Sequence, residues 1–234
     1  MSDVLDRMKQ NAAGASSHED SRGNESHVRC VYGEIAHAYE VFFPSLHRYE
    51  GRVEQFLADT VPPGRRVLDV GCGPGHLTRA LAPGVQVVGV DLSPEMVALA
   101  REGRPQGDYR VHSYHAPLPE ALGRFDVALA VGCLDFCEDL TRVLDHLSGA
   151  LEPGGRLLFT VLERRAGLEG HEQARRRLPT AGPQVELCFW SFEETARALT
   201  AAGLLPRAYA HAPGWVHFSE QRLMWFGWWD VSRR

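Results

Sequence analysis

The stretch VLDVGCGPGH, residues 67–76, decides the fold of this chain of 234 residues. Residues 66–70 form a short, largely apolar run typical of a buried parallel strand, and three glycines at alternate positions follow it. A helical pattern begins near residue 76. Because glycine has no Cβ, such a turn lets a ligand approach the backbone, and the first turn of a helix offers free N–H groups with a partial positive charge. The pattern predicts a ligand-binding turn between a strand and a helix.

Strand and helix patterns alternate on both sides of this turn. Residues 29–60 are predicted to form helices that Pro44 interrupts, and residues 205–231 to form two strands joined through Ser219 and Glu220. Between them, strands are predicted at 66–70, 86–90, 109–112, 125–131 and 156–162, and helices at 76–81, 94–101, 140–151 and 192–202. Such alternation is typical of βαβ units. We expect an α/β, Rossmann-like, seven-stranded sheet, parallel except for an antiparallel last strand, with helices on both faces.

Two segments fall outside this alternation. Residues 1–28 are polar and mixed in charge, and they predict a flexible N-terminal tail. Residues 163–189 carry several arginines without a clear period, and they predict an insertion or lid. The rest of the chain, residues 29–234, has the length of a single α/β unit and is expected to form one domain.

Composition excludes several classes of protein. The chain has 44% hydrophobic residues and a formal net charge of -5, which disfavours both disorder and binding to nucleic acid through a basic face. No apolar stretch approaches the roughly 20 residues of a membrane span, and residues 1–27 contain no secretory signal. Five cysteines without framework spacing favour reduced thiols. We expect a cytoplasmic protein, a monomer or homodimer, whose partner is a small molecule rather than a nucleic acid or a membrane.

Asp91 ends the second predicted strand, 16 residues after Gly75. A carboxylate at this place accepts both hydroxyls of a ribose in nucleoside-binding folds. Dinucleotide enzymes use G-x-G-x-x-G under a pyrophosphate, whereas this chain has G-x-G-x-G with Pro74 inside it. Asp69, just before the glycines, would repel a pyrophosphate and suit an ammonium group. These residues favour S-adenosyl-L-methionine, which has an ammonium, a sulfonium and a ribose but no phosphate, over NAD.

Four blocks of the chain resemble one known family. They are VLDVGCGPG at 67–75, VVGVDLSPEMVALAR at 87–101, FDVALA at 125–130 and LEPGGRLLFTV at 151–161. In this order and spacing they resemble the class I S-adenosylmethionine-dependent methyltransferases, in particular the small-molecule branch, over about residues 30–210. The resemblance implies a Rossmann-like fold, S-adenosyl-L-methionine as methyl donor and S-adenosyl-L-homocysteine as product.

The resemblance also implies roles for individual residues. Asp69 would hold the methionine amino group, and Asp91 the ribose hydroxyls. The other implied cofactor-binding residues belong to the glycine turn, the adenine end, the sulfonium end and the first helix, and they are Gly71, Cys72, Gly73, Gly75, Leu92, Met96, Ser113, Tyr114, His115, Ala130, Val131, Tyr32 and Tyr39. The chain departs from the family at residues 112–116, which contain no carboxylate for the adenine amino group, so backbone amides or the Tyr114 hydroxyl are left for that role.

Absent motifs exclude several acceptor classes. Residues 130–133 lack the Pro-Pro-aromatic run of amide and adenine N-methyltransferases and the Pro-Cys pair of cytosine enzymes. The lone lysine, Lys9, excludes the metal-dependent catechol type, which uses a lysine and clustered carboxylates. No metal site is expected, because Cys133 and Cys137 lack further ligands with metal spacing.

A metal-independent enzyme acting on an O, N or C atom of a small molecule remains, and the resemblance places such a chain in bacterial specialised metabolism. The acceptor side is expected to be built from residues 30–48, Asp135, Phe136, the insertion and the C-terminal strands. The alternatives are a same-fold protein with non-methylating chemistry, an RNA or protein methyltransferase, and a non-catalytic partner subunit.

Candidate catalytic residues lie outside the shared motifs. Asp135 follows the fourth strand and either caps the next helix or faces the acceptor. His171 and His217 are candidate general bases. The arginines at 164–165 and 175–177 either bind an anionic group of the substrate or form a solvated face.

Overall fold

The computed structural model describes residues 23–49, 51–177, 185–217 and 222–234, with only the backbone of 42–46 and 217. Its helices are α1 (Asn24–Leu46), α2 (Arg52–Thr60), α3 (Pro94–Gly103), α4 (Leu140–Ala150) and α5 (Phe192–Ala201). Its strands are β1 (Arg66–Val70), β2 (Gln86–Asp91), β3 (Asp108–Val111), β4 (Phe125–Ala130), β5 (Leu151–Glu163), β6 (Arg175–Arg177), β7 (Glu186–Trp190), β8 (Leu204–His217) and β9 (Arg222–Arg233). Short 3₁₀ turns span Glu120–Leu122 and Leu134–Phe136.

Five parallel strands form the centre of the sheet, in the order β3-β2-β1-β4-β5. β9 runs antiparallel to β5, from Arg156↔Ser232 to Leu162↔Phe226, and pairs with β8 on its other side. The predicted Rossmann-like sheet with an antiparallel last strand is confirmed. Because the strand order reverses between β1 and β4, a crevice opens at the carboxyl ends of these strands, where ligands bind in such folds.

The number of strands differs from the prediction, since the described residues contain nine instead of seven. The two additional strands are β6 and β7, and apart from Trp190 they lie inside the predicted insertion, 163–189. The central residues of β7, 187–189, are buried and apolar, and the strand extends the end of β5 in parallel through Leu162↔Phe189. β6 pairs antiparallel with β7. These parts of the insertion are therefore fastened to the sheet; residues 178–184 lie outside the described residues.

The helix predicted at 76–81 is wrong, because these residues form turns. One hydrogen bond here has α-helical spacing, from the Arg79 N–H to the Gly75 carbonyl at 2.9 Å, and the Thr78 and Leu81 N–H groups make 3₁₀-type bonds. The Thr78 hydroxyl donates to Asp69 at 2.9 Å, and side-chain bonds of this kind compete with a regular helix. The segment after the glycines is thus held by side chains rather than by a helix.

Pro44 is predicted to interrupt the first helix, but α1 continues to Leu46. Proline has no N–H to donate to the carbonyl four residues earlier, which belongs to Glu40. His76 Nε2 lies 3.1 Å from this carbonyl oxygen and replaces the missing donor. The same contact ties the end of α1 to the glycine turn.

Helices cover both faces of the sheet, as predicted. α4 and α5 pack on one face through residues such as Leu144 and Leu199, and α2 and α3 on the other through Phe56 and Val97. α1 packs on α3 and begins at Asn24, so the domain boundary expected after residue 28 lies inside this helix; residues 1–22 lie outside the description. No helix in the described part of the chain is long and apolar enough to cross a bilayer.

Candidate functional site

A cavity of about 950 Å³, open to solvent, lies at the carboxyl ends of β1, β2 and β4 and under α1. Its volume is in the range of small-molecule sites. The predicted cofactor residues that line it are Tyr32, Tyr39, Gly71, Cys72, Gly73, Asp91, Leu92, Met96, Ser113, Tyr114, His115 and Val131. Asp69, Gly75 and Ala130 do not belong to the lining.

Asp91 shapes the glycine turn at the floor of the cavity. One carboxylate oxygen accepts from the Gly73 N–H at 2.9 Å and the other from the Ser93 N–H at 2.9 Å. Burial raises the pKa of Asp91, while these two backbone hydrogen bonds lower it. Gly73 has a φ of 51°, and a Cβ there would point towards the Tyr39 ring, 3.9 Å away. The turn therefore presents bare backbone and a carboxylate with lone pairs to spare.

Asp69 lies behind this turn and is 1% exposed. One of its oxygens accepts from the Thr78 hydroxyl at 2.9 Å. Burial raises the pKa of Asp69 to about 7, against the hydrogen bond from Thr78, which lowers it. In this structure Asp69 anchors the segment after the glycines to β1, and it does not face the cavity directly.

The residues predicted to contact the adenine, Ser113, Tyr114 and His115, line the cavity, but they form hydrogen bonds within the protein. The Tyr114 hydroxyl donates to the Cys133 carbonyl at 3.3 Å. The His115 N–H donates to the Ser113 hydroxyl oxygen at 3.1 Å. Tyr114 thus connects the loops after β3 and β4, and backbone groups of this loop are left to face a ligand.

Aromatic rings form the opposite wall of the cavity, which we call the aromatic wall: Tyr32, Tyr39, Tyr49 and Phe136. The Tyr32 ring lies 5.6 Å from that of Tyr39 and 5.7 Å from that of Phe136, both edge to face. The Tyr39 hydroxyl lies 3.0 Å from His47 Nε2. Burial is the largest of the effects that raise the pKa of all three tyrosines, so the phenols stay neutral. Tyr49 was not predicted as a site residue, because its spacing continues the apolar pattern of a packed helix.

Asp135 lies behind the aromatic wall and is 2% exposed. Its Oδ2 accepts from the Trp215 indole N–H at 2.8 Å, and within the described ranges its buried Oδ1 has no hydrogen-bond partner. Burial raises the pKa of Asp135 to about 7, and the indole hydrogen bond works against that rise. The interpretation of Asp135 as a helix cap is wrong, because α4 begins later and Asp139 accepts from the Arg142 N–H at its start.

The two histidines predicted as bases have different outcomes. His171 is fully buried away from the cavity, with Nδ1 2.7 Å from the Glu163 carbonyl and Nε2 accepting from the Trp225 N–H at 3.3 Å. Both ring nitrogens are engaged in holding the insertion, so the structure does not bring His171 to the site. The side chain of His217 lies outside the described residues.

The arginines of the insertion bond to the protein rather than form an anion cradle. Arg164 pairs with Glu194 at 2.6 Å. Arg175 donates to the Glu138 carbonyl at 2.9 Å and lies over the Trp190 ring. These contacts fasten the insertion to α5 and to the sheet. No cluster of three or more His, Cys, Asp or Glu in the described part of the chain is arranged to hold a metal ion.

Curated proteins with a similar sequence are methyltransferases. A ubiquinone biosynthesis O-methyltransferase of Xanthomonas axonopodis pv. citri is 38% identical over 138 residues, which are 55% of this chain and 58% of the relative. The chain thus matches little more than half the length of such curated relatives.

Solved structures are similar in fold at lower identity. A 1,6-didemethyltoxoflavin-N1-methyltransferase of Burkholderia thailandensis, with bound 1,6-didemethyltoxoflavin and S-adenosylhomocysteine, has a TM-score of 0.65 at 21% identity and covers 94% of each chain. A magnesium protoporphyrin IX methyltransferase of Synechocystis, with bound S-adenosylmethionine, has a TM-score of 0.62 at 16% identity and covers 93% of this chain and 100% of its own. The family model described as "Methyltransferase domain" matches residues 42–208. Because that match spans most of the chain, the protein belongs to the methyltransferase domain family.

Proposed function

We propose that this protein transfers a methyl group from S-adenosyl-L-methionine to a small-molecule acceptor. The observation that carries the proposal is the pairing of Asp91 with the Gly73 N–H inside the cavity. A carboxylate held in this way still has lone pairs for both hydroxyls of a ribose. Membership of the methyltransferase domain family supports the same activity.

The polar groups of the glycine turn fit this methyl donor better than a dinucleotide. The Gly73 N–H already donates to Asp91, so it is not available to a pyrophosphate oxygen. Asp69 and Asp91 place two carboxylates at the turn, and like charges repel. The same carboxylates attract the ammonium and sulfonium groups of S-adenosyl-L-methionine. The missing side chain of Gly73 leaves the floor of the cavity open to the ligand.

The bound donor supplies a methyl group on a positively charged sulfonium, which is a strong electrophile. The residues of this chain bind and orient the two substrates. Asp91 holds the ribose, and Leu92 and Met96 pack beside the adenine. The aromatic wall holds the acceptor close to the methyl carbon and excludes water. Its neutral Tyr32 and Tyr49 rings also favour a cation at the centre of the cavity.

Several features support a small acceptor. The curated relatives are named for ubiquinone biosynthesis, and one structural neighbour for toxoflavin, both small molecules. The net charge of -5 disfavours RNA as a substrate. The proposal covers an O, N or C atom of the acceptor, which is methylated without a metal. It places the enzyme in the cytoplasm and in bacterial specialised metabolism, as a monomer or homodimer.

Calorimetric titration tests the methyl donor. We expect S-adenosyl-L-homocysteine to bind the full chain with micromolar affinity, and NAD, in a parallel cell, not to bind. Asp91→Ala is expected to abolish most of this affinity, while Asp139→Asn, which keeps an exposed helix cap, retains it. Binding of NAD instead, or no binding of S-adenosyl-L-homocysteine, would overturn the proposal.

A second experiment tests the reaction. The protein is incubated with methyl-labelled S-adenosyl-L-methionine and, separately, phenol, catechol, phenethylamine and indole. We expect label in the product of at least one acceptor together with an equal amount of S-adenosyl-L-homocysteine. Consumption of an acceptor without S-adenosyl-L-homocysteine would indicate non-methylating chemistry on the same fold.

A further inference from the structure

The carboxylate of Asp135 is buried but only half satisfied. It is 2% exposed, and one oxygen accepts a single hydrogen bond, from Trp215 at 2.8 Å. The other oxygen, Oδ1, is buried and bonds to nothing in the ranges that the structure describes. A buried acceptor without a partner is costly and is rare in native proteins. An Asp135 kept in this state is therefore expected to bond to something that binds the site.

The groups that face Asp135 do not neutralise it. They come from α1, the segment before α2, the loop after β3 and its own loop, and they are Tyr32, Tyr39, Tyr49, Tyr114 and Cys133. All of them are neutral acids whose pKa is raised by burial and by the charge on Asp135. The pKa of Asp135 itself is set by burial and by the bond from Trp215, with no contribution from a cationic side chain.

The aromatic wall places Asp135 beside the acceptor end of the cavity. Its chain neighbours Gly132, Cys133 and Phe136 all line the cavity. Tyr32 and Tyr49, which interact electrostatically with the carboxylate, line it from the other side. Asp135 itself does not belong to the lining, so its Oδ1 lies behind these residues, close to the place where we expect the acceptor to bind.

We propose that Asp135 is the proton acceptor of the methyl transfer, with Oδ1 facing a hydroxyl or an ammonium group of the acceptor. This inference rests on the proposed function and deepens it by naming the substrate class. The acceptor carries a weakly acidic proton on the oxygen or nitrogen that is methylated, which excludes thioethers and tertiary amines.

The step balances without a further reactant. The O–H or N–H bond of the acceptor breaks, and its proton moves to Oδ1 of Asp135. The acceptor oxygen or nitrogen forms the bond to the methyl carbon while the bond from that carbon to sulfur breaks, and the electron pair of the broken bond stays on sulfur. Asp135 releases the proton to solvent when the product leaves.

Trp215 is a positioning residue in this scheme. Its indole N–H holds Oδ2 and so leaves Oδ1 for the acceptor. A hydrogen bond to the ionised carboxylate also favours that form and lowers the pKa of Asp135. The result is a pKa of about 7, at which about half of the carboxyl groups are ionised in neutral solution and the base still binds a proton well.

Nuclear magnetic resonance tests the carboxylate without requiring activity. The chain has five tryptophans, so ¹⁵N-indole labelling gives five N–H resonances, and loss of one in Trp215→Phe assigns that residue. We expect the Trp215 resonance to titrate with a midpoint of about 7 in the wild type and in Asp139→Asn, and to stay unchanged in Asp135→Asn. A Trp215 resonance that does not move between about pH 5 and pH 9 in the wild type would overturn the proposal.

Turnover of phenol and phenethylamine tests the catalytic role. Asp135→Asn keeps the shape and the bond to Trp215, and we expect it to lose about 10²–10⁴-fold in kcat/KM. Its affinity for S-adenosyl-L-homocysteine is expected to stay within about threefold of the wild type, which shows that the variant is folded. Trp215→Phe is expected to move the acid limb of the pH profile upwards by about one unit, and Trp225→Phe to leave it in place.

The outcomes separate the two proposals. A wild type that does not bind S-adenosyl-L-homocysteine refutes the proposed function, whatever the resonance of Trp215 does. If Asp135→Asn methylates phenol or phenethylamine as fast as the wild type does, the role of Asp135 is refuted, and the proposed function is not affected.

Discussion

Gly132, two residues after the end of β4, has a backbone conformation that only glycine adopts easily and a neighbour that leaves no room for a side chain. Its φ is 72°, and a Cβ would overlap the Tyr49 hydroxyl, with the ring carbon Cζ at 3.6 Å. The left-handed backbone costs an alanine about 1–2 kcal/mol, and the overlap about 1–3 kcal/mol more. We expect Gly132→Ala to lower the free energy of unfolding by about 3 kcal/mol, which is roughly 6–12 °C in Tm for a domain of this size.

A double-mutant cycle separates the two contributions. Tyr49→Phe removes the hydroxyl and leaves the ring carbon in ordinary van der Waals contact with the new Cβ. In urea or thermal denaturation, the double variant Gly132→Ala/Tyr49→Phe is expected to recover about 1–3 kcal/mol and to keep only the backbone strain. Additive effects of the two substitutions would show that Tyr49 does not lie against Gly132, and the described shape of the aromatic wall would be refuted.

Three further substitutions test the site and its supports. Asp91→Ala leaves two backbone N–H groups without their acceptor. Calorimetry is expected to show at least about 100-fold weaker binding of S-adenosyl-L-homocysteine. An unchanged affinity would contradict the role of Asp91. Asn24→Ala removes the amide that bonds to the N–H and the carbonyl of Glu186 and fastens α1, so stopped-flow release of the same ligand should become about 5- to 10-fold faster. Arg104→Met removes a buried guanidinium that donates to four backbone carbonyls, and urea denaturation should show a loss of about 3 kcal/mol; an equally stable variant would contradict this assignment.

Local patterns were sufficient for most of the fold. The apolar run at 66–70, the glycines after it and the regular alternation downstream predict the central strands, and these pair as expected. The prediction was wrong where long-range contacts decide. Residues 187–189 form a strand because they meet the end of β5, and helix α1 passes Pro44 because His76 supplies the missing donor. Neither partner is visible in the local sequence.

The residues of the site also fall into those that a local motif predicts and those that depend on long-range contacts. The glycine turn and Asp91 are predictable because one short motif contains both the backbone shape and the carboxylate spacing. Whether Asp135 caps a helix depends on where α4 begins, and Asp139 offers the same capping carboxylate. No pattern places Trp215, 80 residues away, on the Asp135 carboxylate. Residue type alone makes His171 a candidate base, and only the fold shows that both of its ring nitrogens are bonded.

The proposed base also predicts how stability depends on pH. Burial raises the pKa of Asp135 to about 7 in the folded chain, against 3.8 as its ordinary value. An acid whose pKa is raised by folding contributes stability that is fully present below pH 3.8 and is lost as pH rises through 7. The integrated loss is on the order of 4 kcal/mol above pH 7.

Asp135→Asn removes this loss of stability at high pH, because an amide does not ionise. The amide oxygen still accepts the hydrogen bond from the Trp215 indole N–H. We expect the variant to be more stable than the wild type, by an amount that grows by about 2.5 kcal/mol between pH 5 and pH 8. Thermal denaturation should show this as a Tm difference that increases by roughly 5–10 °C, while Asp139→Asn shows none. A constant difference at both pH values would mean that folding does not raise the pKa of Asp135, so that its carboxyl is already ionised in the folded protein at pH 5. The substitution that stabilises the fold is the one expected to stop the reaction, so the buried carboxylate is explained by chemistry and not by stability.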